Sequence, residues 1–170
     1  RAAELPDSSL IGRRLCGSRR LVVGAPGYFR SRGRPQAPAE LADHACLLYA
    51  YQASGDTWHL DGPAGPIAVR VRGRLRANNG DVLATAAREG LGLAFLPDFI
   101  VAGDLRAGRL EVALAEHCRS EAAIHAVYPQ TRHLVPKVRA FVDHLARHFG
   151  DGVPWAALSR RRLALYGGER

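Results

Sequence analysis

Methionine is absent from the 170 residues, cysteine occurs three times, and Lys137 is the one lysine among 24 basic residues. With Arg1 at its start and no methionine anywhere, the chain is expected to have lost something upstream. Cys16, Cys46 and Cys118 are far apart, odd in number and form no CxxC pair, which argues against both zinc and a disulfide framework. Reduced thiols in a cytoplasm are the expectation. No apolar run approaches the roughly 18 residues of a membrane helix, and no leader with a cleavage site is visible. Neither a membrane partner nor secretion is indicated. Reactive constellations are also missing: there is no GxSxG elbow, no HExxH and no GxxxxGK[ST] loop. Gly90-x-Gly92 precedes a strand and lacks a third glycine, so it is no dinucleotide fingerprint. His144 and His148 are four apart on a helix, but no further ligand completes a metal site, and solvated histidines are the better reading. The chain is therefore expected not to be an enzyme and to carry no cofactor or metal.

What is present is an alternation of short apolar runs and amphipathic helices. The formal net charge of +8 raises the prior for anionic partners, although an arginine-rich, solvated surface is the favoured reading. Strands are expected near residues 20–25, 46–50, 67–77, 92–96 and 109–114, with others over 57–61 around Trp58 and over 122–128. Helices are expected over 28–33, 38–43, 81–89, 98–102 and 136–149, the last with Val138, Phe141, Leu145 and Phe149 on one face. Between Ile67 and Ala77, apolar residues alternate with Arg70, Arg72, Arg74 and Arg76, and Gly73 marks a bulge or bend. A basic rail for a polyanion and a charged, solvent-facing edge both fit; the edge is favoured because no aromatic residues interleave the arginines. His44 follows a helix and reads as a cap or packed residue, and Cys46 as a buried, inert thiol.

The chain is organised around Gly73 to Pro97, GRLRANNGDVLATAAREGLGLAFLP. A strand ends at Asn78-Asn79-Gly80, a helix from Asp81 buries Val82, Leu83 and Ala86-Ala87, Gly90 stops it, and a second strand ends at Pro97. This is a βαβ unit, whose strands run parallel in one sheet. Ligands of such sheets sit at the carboxyl ends of the strands. Asn78, Asn79, Gly80 and Asp81 lie there, where free N–H groups favour an anion. Simple helix capping is the competing reading and, on these residues alone, the stronger one.

The residues also carry a resemblance. RANNGDVLATAAREGLGLAFLP is similar to the turn, short helix and Gly-x-Gly-x-x-x-x-Pro run of LysR-type transcriptional regulators. RRLVVGAPGYFRSRGRPQAPAELADHACLLY resembles that family's "ASPxYL" and "P-x-D-L-x-x-H" segments, with Gly24 where alanine is frequent. ELPDSSLIGRRL, GDLRAGRLEVAL and IHAVYPQTRHLVPKVRAFVDHLARHF follow in the family's order, so the resemblance covers Arg1 to about Trp155.

That resemblance implies an α/β fold: a mostly parallel sheet flanked by helices, forming one nearly complete lobe of a two-lobed, periplasmic-binding-protein-like module plus the closing part of the other. Residues 1–19 would be a remnant of the first lobe and first crossover, 20–115 the second lobe, 116–150 the second crossover and closing part of the first lobe, and 151–170 a tail. It further implies an effector-sensing domain, a homodimer, and DNA contact only through an N-terminal winged helix-turn-helix that this sequence does not contain. A transporter's solute-binding protein would share the fold but would need an export signal; a nucleic-acid-binding module would use the charge but would need a reading helix. The expected effector site joins three strand ends, with Ala25, Pro26 and Tyr28 after the first strand, Asn78 to Asp81 after the hairpin, and Leu96, Pro97 and Phe99 after the third. A small organic effector is expected there; a carboxylate would suit the Asn78–Asp81 donors, although the charge of Asp81 competes for them.

Overall fold

The computed structural model describes residues 10–118, 121–129 and 135–150. The first nine residues of the expected first-lobe remnant and the tail beyond Gly150 lie outside the described residues.

The longest element is β1, Leu10–Gly24, one strand of 15 residues with two sets of neighbours. Its first part, Leu10 to Arg19, pairs antiparallel with β8 (Glu121–Pro129), with an irregularity between Arg14 and Cys16. Its last part, the apolar run Leu21-Val22-Val23, is fully buried between two further strands. These are β6 (Leu93–Pro97) and β7 (Glu111–Ala113), both antiparallel to it. The main sheet has the order β5-β2-β6-β1-β7, where β2 is Cys46–Tyr49 and β5 is Arg76–Ala77. Strands β5, β2 and β6 run parallel. The fold is α/β as expected, but the sheet is mixed, because the strand expected at 20–25 arrives from the β8 ladder and enters the middle of the sheet head to tail.

The alternating stretch 67–77 is not one strand. Gly65–Arg70 is β4, paired with β3 (Thr57–Gly62) in a separate hairpin, and only Arg76–Ala77 joins the main sheet. The break falls at Gly73. Amides of Cys46, Leu48 and Ala50, two apart on one strand, donate to the carbonyls of Arg72, Leu75 and Ala77, so one extra residue bulges out between the first two acceptors. A side chain at Gly73 would place Cβ 1.6 Å from the Cys46 carbonyl oxygen, which no other residue can accommodate. Arg70, Arg72, Arg74 and Arg76 are all exposed, and β5 is the edge strand, as the edge reading requires.

Helix α1 spans Pro26–Arg32, followed by a 3-10 turn over Pro38–Asp43. In α2, Gly80–Arg88, the buried residues are Leu83, Ala84, Ala86 and Ala87; Val82 points outward and is 49% exposed. The buried strip is centred one residue further round the helix than the sequence pattern places it. Helix α3, Asp98–Arg106, continues through Gly103 instead of stopping at Ala102. Burial of Val101, Ala102 and Leu105 outweighs the roughly 1 kcal/mol that glycine costs inside a helix. Both α2 and α3 pack on β6 and against each other, while α4 (Pro136–Gly150) packs on β1, to which the Arg13–Asp143 ion pair also ties it. The hairpin closes one side through Trp58, 2% exposed, whose ring lies 5.5 Å from that of Phe95.

Candidate functional site at the β1 crossover

Arg20 stands where β1 leaves the β8 ladder and enters the main sheet, opposite Pro97 at the carboxyl end of β6. The turn after β2 brings Gln52 to the same place, and the start of β8 brings Ala122, the partner of Ser18. Two cavities open here, of about 590 and 440 Å3. Ser18, Arg20, Gln52, Phe95 and Ala122 line both, so the two adjoin at the arginine. Tyr49, Tyr51, Leu96, Phe99 and Ile100 give the smaller one a largely apolar wall. His59, Asp61 and His117 add polar groups to the larger.

The side chains are held in place. Gln52 donates from Nε2 to the Thr57 carbonyl (2.8 Å) and the Ser54 hydroxyl (2.8 Å), turning its Oε1 toward Arg20. Arg20 Nη2 donates to that oxygen (3.0 Å) and to the Phe95 carbonyl (2.9 Å), and its guanidinium lies 4.3 Å above the Phe95 ring. Ser18 donates from Oγ to Asp98 Oδ1 (2.8 Å) at the first turn of α3. Burial lowers the pKa of Arg20 from its ordinary value; the charge of Cys118 opposes that shift, but burial pushes this thiol up to about 12, so it is neutral.

Only part of the site expected from sequence assembles here. Gly80, Leu96, Pro97 and Phe99 line the smaller cavity. Asn78, Asn79 and Asp81 do not: Asn79 Oδ1 accepts from the amides of Asp81 (2.7 Å) and Val82 (3.4 Å), so the turn spends its donors on capping α2. Ala25, Pro26 and Tyr28 lie at the opposite edge of the sheet, in a separate cleft shared with Arg30, Arg88 and Arg109. The reason is the antiparallel entry of β1, which sends its carboxyl end away from those of β2 and β6. There Tyr28 accepts from the Ala45 amide (3.1 Å) and bonds His44 Nδ1 (3.1 Å). Burial raises the pKa of Tyr28 and lowers that of His44, so both stay neutral near pH 7. Cys46 is the buried thiol expected, pushed up to about 12 by burial. Sequence reasoning missed Arg20, Gln52, Ser18 and Ala122; the one local signal was an arginine at the head of an otherwise apolar strand.

The profile described as the LysR substrate binding domain matches residues 1–150. The chain belongs to this family. The transcriptional regulator CrgA of Neisseria meningitidis serogroup C is 34% identical over 155 residues, 90% of this chain and 51% of that protein. PtxR of Pseudomonas aeruginosa, also a transcriptional regulator, is 31% identical over 144 residues, 85% of this chain and 46% of its own length. The CrgA regulatory domain superposes with a TM-score of 0.78 at 33% identity, covering 88% of this chain and 74% of that one. The AphB regulatory domain of Vibrio vulnificus gives 0.69 at 29% identity, covering 84% and 71%. The chain spans about half the length of the curated relatives it matches. Its mixed α/β fold is that of LysR regulatory domains. Gly24, where the family often has alanine, is explained by packing: an added Cβ would sit 2.7 Å from Leu93 and 2.9 Å from Phe29, which fill that space themselves. Among the described residues no helix is long and apolar enough to cross a membrane.

Proposed function

We propose that this domain senses a small organic effector in the space around Arg20, Gln52 and Phe95 and passes its occupancy to operator binding in a bacterial, cytoplasmic LysR-type regulator. The observation that carries the reading is the position of Arg20. It lies on the long strand that runs from the β8 ladder into the main sheet, so a molecule seated there touches β2, β6, β8 and the strand linking them. Occupancy that favours one angle between the β1–β8 ladder and the main sheet shifts the population of that state. Residues 20–115 act as one lobe of the module; residues 1–19 and 116–150 supply the crossovers and the closing part of the other. The relatives are regulators, which favours this over a transporter's solute-binding protein. The domain performs no catalysis and needs no cofactor. DNA contact falls to a winged helix-turn-helix outside this sequence, so the chain alone gives only weak, salt-sensitive binding to DNA.

A homodimer is part of the same proposal. Phe141 is 62% exposed and Val138 36% exposed, three residues apart on α4, an apolar patch of the kind that seeks a partner. Sedimentation at high micromolar concentration should show dimer, and monomer alone would contradict this part. The site is tested by Ala122→Trp in the intact regulator, which puts a bulky ring at an exposed strand position that lines both cavities. A metabolite screen should find a reporter response that the variant loses while its circular dichroism is unchanged. An unchanged response would move the sensor elsewhere.

A further inference from the structure

Arg20 is a partly buried cation with unused hydrogen-bonding capacity. A guanidinium carries five N–H donors. Both recorded bonds leave from Nη2, so Nε and Nη1 have no protein acceptor among the described residues. Neither atom is buried without a partner, so both keep accessible surface, and the residue lines both cavities. Among the described residues no carboxylate is paired with it. Two other part-buried arginines are paired, Arg34 with Glu111 and Arg88 with Asp104. Of the acids at this edge, Asp98 accepts from Ser18, and Asp61 lines the larger cavity. What Arg20 has is an aromatic face, two neutral oxygens and a cavity.

A buried charge without a counter-ion is costly, and an incoming anion relieves that cost. Apolar and aromatic residues supply most of the wall of the smaller cavity. We propose that Arg20 is the anchor for a carboxylate, and that the effector is a small monocarboxylate whose aromatic or otherwise apolar body lies against Phe95, Phe99 and Ile100. Gln52 and the Phe95 carbonyl hold the guanidinium by Nη2 and leave its other donors for the ligand. Recognition of this kind rejects a neutral isostere, which leaves the cation unanswered. The inference rests on the crossover cavity being the effector site.

The test uses benzoate and phenylacetate, with benzamide and phenylacetamide as neutral counterparts, measured by calorimetry on the 170-residue chain. At least one acid should bind saturably and more tightly than its amide. Arg20→Gln should weaken that acid by at least about tenfold, the factor equivalent to 1.4 kcal/mol, and Arg20→Lys should restore part of the loss. Ala122→Trp should abolish binding. If Ala122→Trp blocks the acid but Arg20→Gln does not weaken it, the cavity stands and the anchor is wrong. If neither substitution matters, both readings fail. Equal binding of acid and amide, or no saturable binding of either acid, overturns the carboxylate assignment. Unchanged circular dichroism in Arg20→Gln keeps a folding defect from passing as support.

Discussion

The two edges of the main sheet hold similar ingredients and treat them differently. At one edge Tyr28, His44 and the Ala45 amide lie beside the ring of Phe29 and satisfy one another. At the other, Arg20 and Gln52 lie beside Phe95, and part of the arginine's donor capacity is left over. A closed polar set stabilises a fold; an open one in a cavity is available to a ligand. The site is recognised here by a part-buried cation with donors to spare, since both edges have clefts of similar volume and Arg30, at the closed one, is exposed.

Substitutions at the two edges should have separable effects on stability and binding. The largest effect should come from Trp58→Ala, which removes a buried ring from the hairpin and its contact with Phe95 at the open edge. Loss of such a residue costs about 3–5 kcal/mol, readable as a lowered urea midpoint. At the closed edge, Tyr28→Phe leaves the Ala45 amide without its acceptor and His44 without its hydroxyl partner. About 1–3 kcal/mol should be lost, with ligand binding unchanged; a binding defect would merge the two edges into one site. Asn79→Ala removes the cap of α2 and should cost about 1 kcal/mol without affecting binding.

Arg20→Met inverts that pattern. The two hydrogen bonds lost are offset by release of a partly buried, unpaired cation, so stability should stay within about 1 kcal/mol of wild type while binding is lost. The smallest expected effect is a pH slope from the closed edge. Burial lowers the folded pKa of His44, so the unfolded chain binds more protons below the ordinary value. Its contribution is present above about pH 6.5 and is lost as pH falls through the lower folded value. Urea midpoints between pH 7.5 and 5.5 should show a shallower decline in His44→Gln; an identical decline would contradict the assignment.

How much of this was legible depends on the range of the interaction that decides it. The Asn79 cap, the end of α2 at Gly90 and the end of β6 at Pro97 are set within a few residues, and each falls where the sequence pattern puts it. The bulge at Gly73 was legible as a glycine in an alternating run, but not that β4 leaves for a separate hairpin, since alternation names no partner. The extension of α3 through Gly103 depends on tertiary burial of Val101 and Leu105. Direction was the least visible property. LVV reads the same whichever way the strand enters a sheet, and that one fact sends Ala25 and Tyr28 to the closed edge and Arg20 to the open one. Four of the expected site residues, Gly80, Leu96, Pro97 and Phe99, depend only on the βαβ unit and its following helix, and they do line the cavity.

The contrast between the edges is tested most directly by amide shifts on titrating benzoate into the 15N-labelled chain. Saturable changes should centre on the amides of Ser18, Arg20, Gln52, Phe95 and Ala122, with those of Tyr28, His44 and Ala45 unmoved. Changes centred on Tyr28, His44 and Ala45, or spread evenly over both edges, would contradict the account.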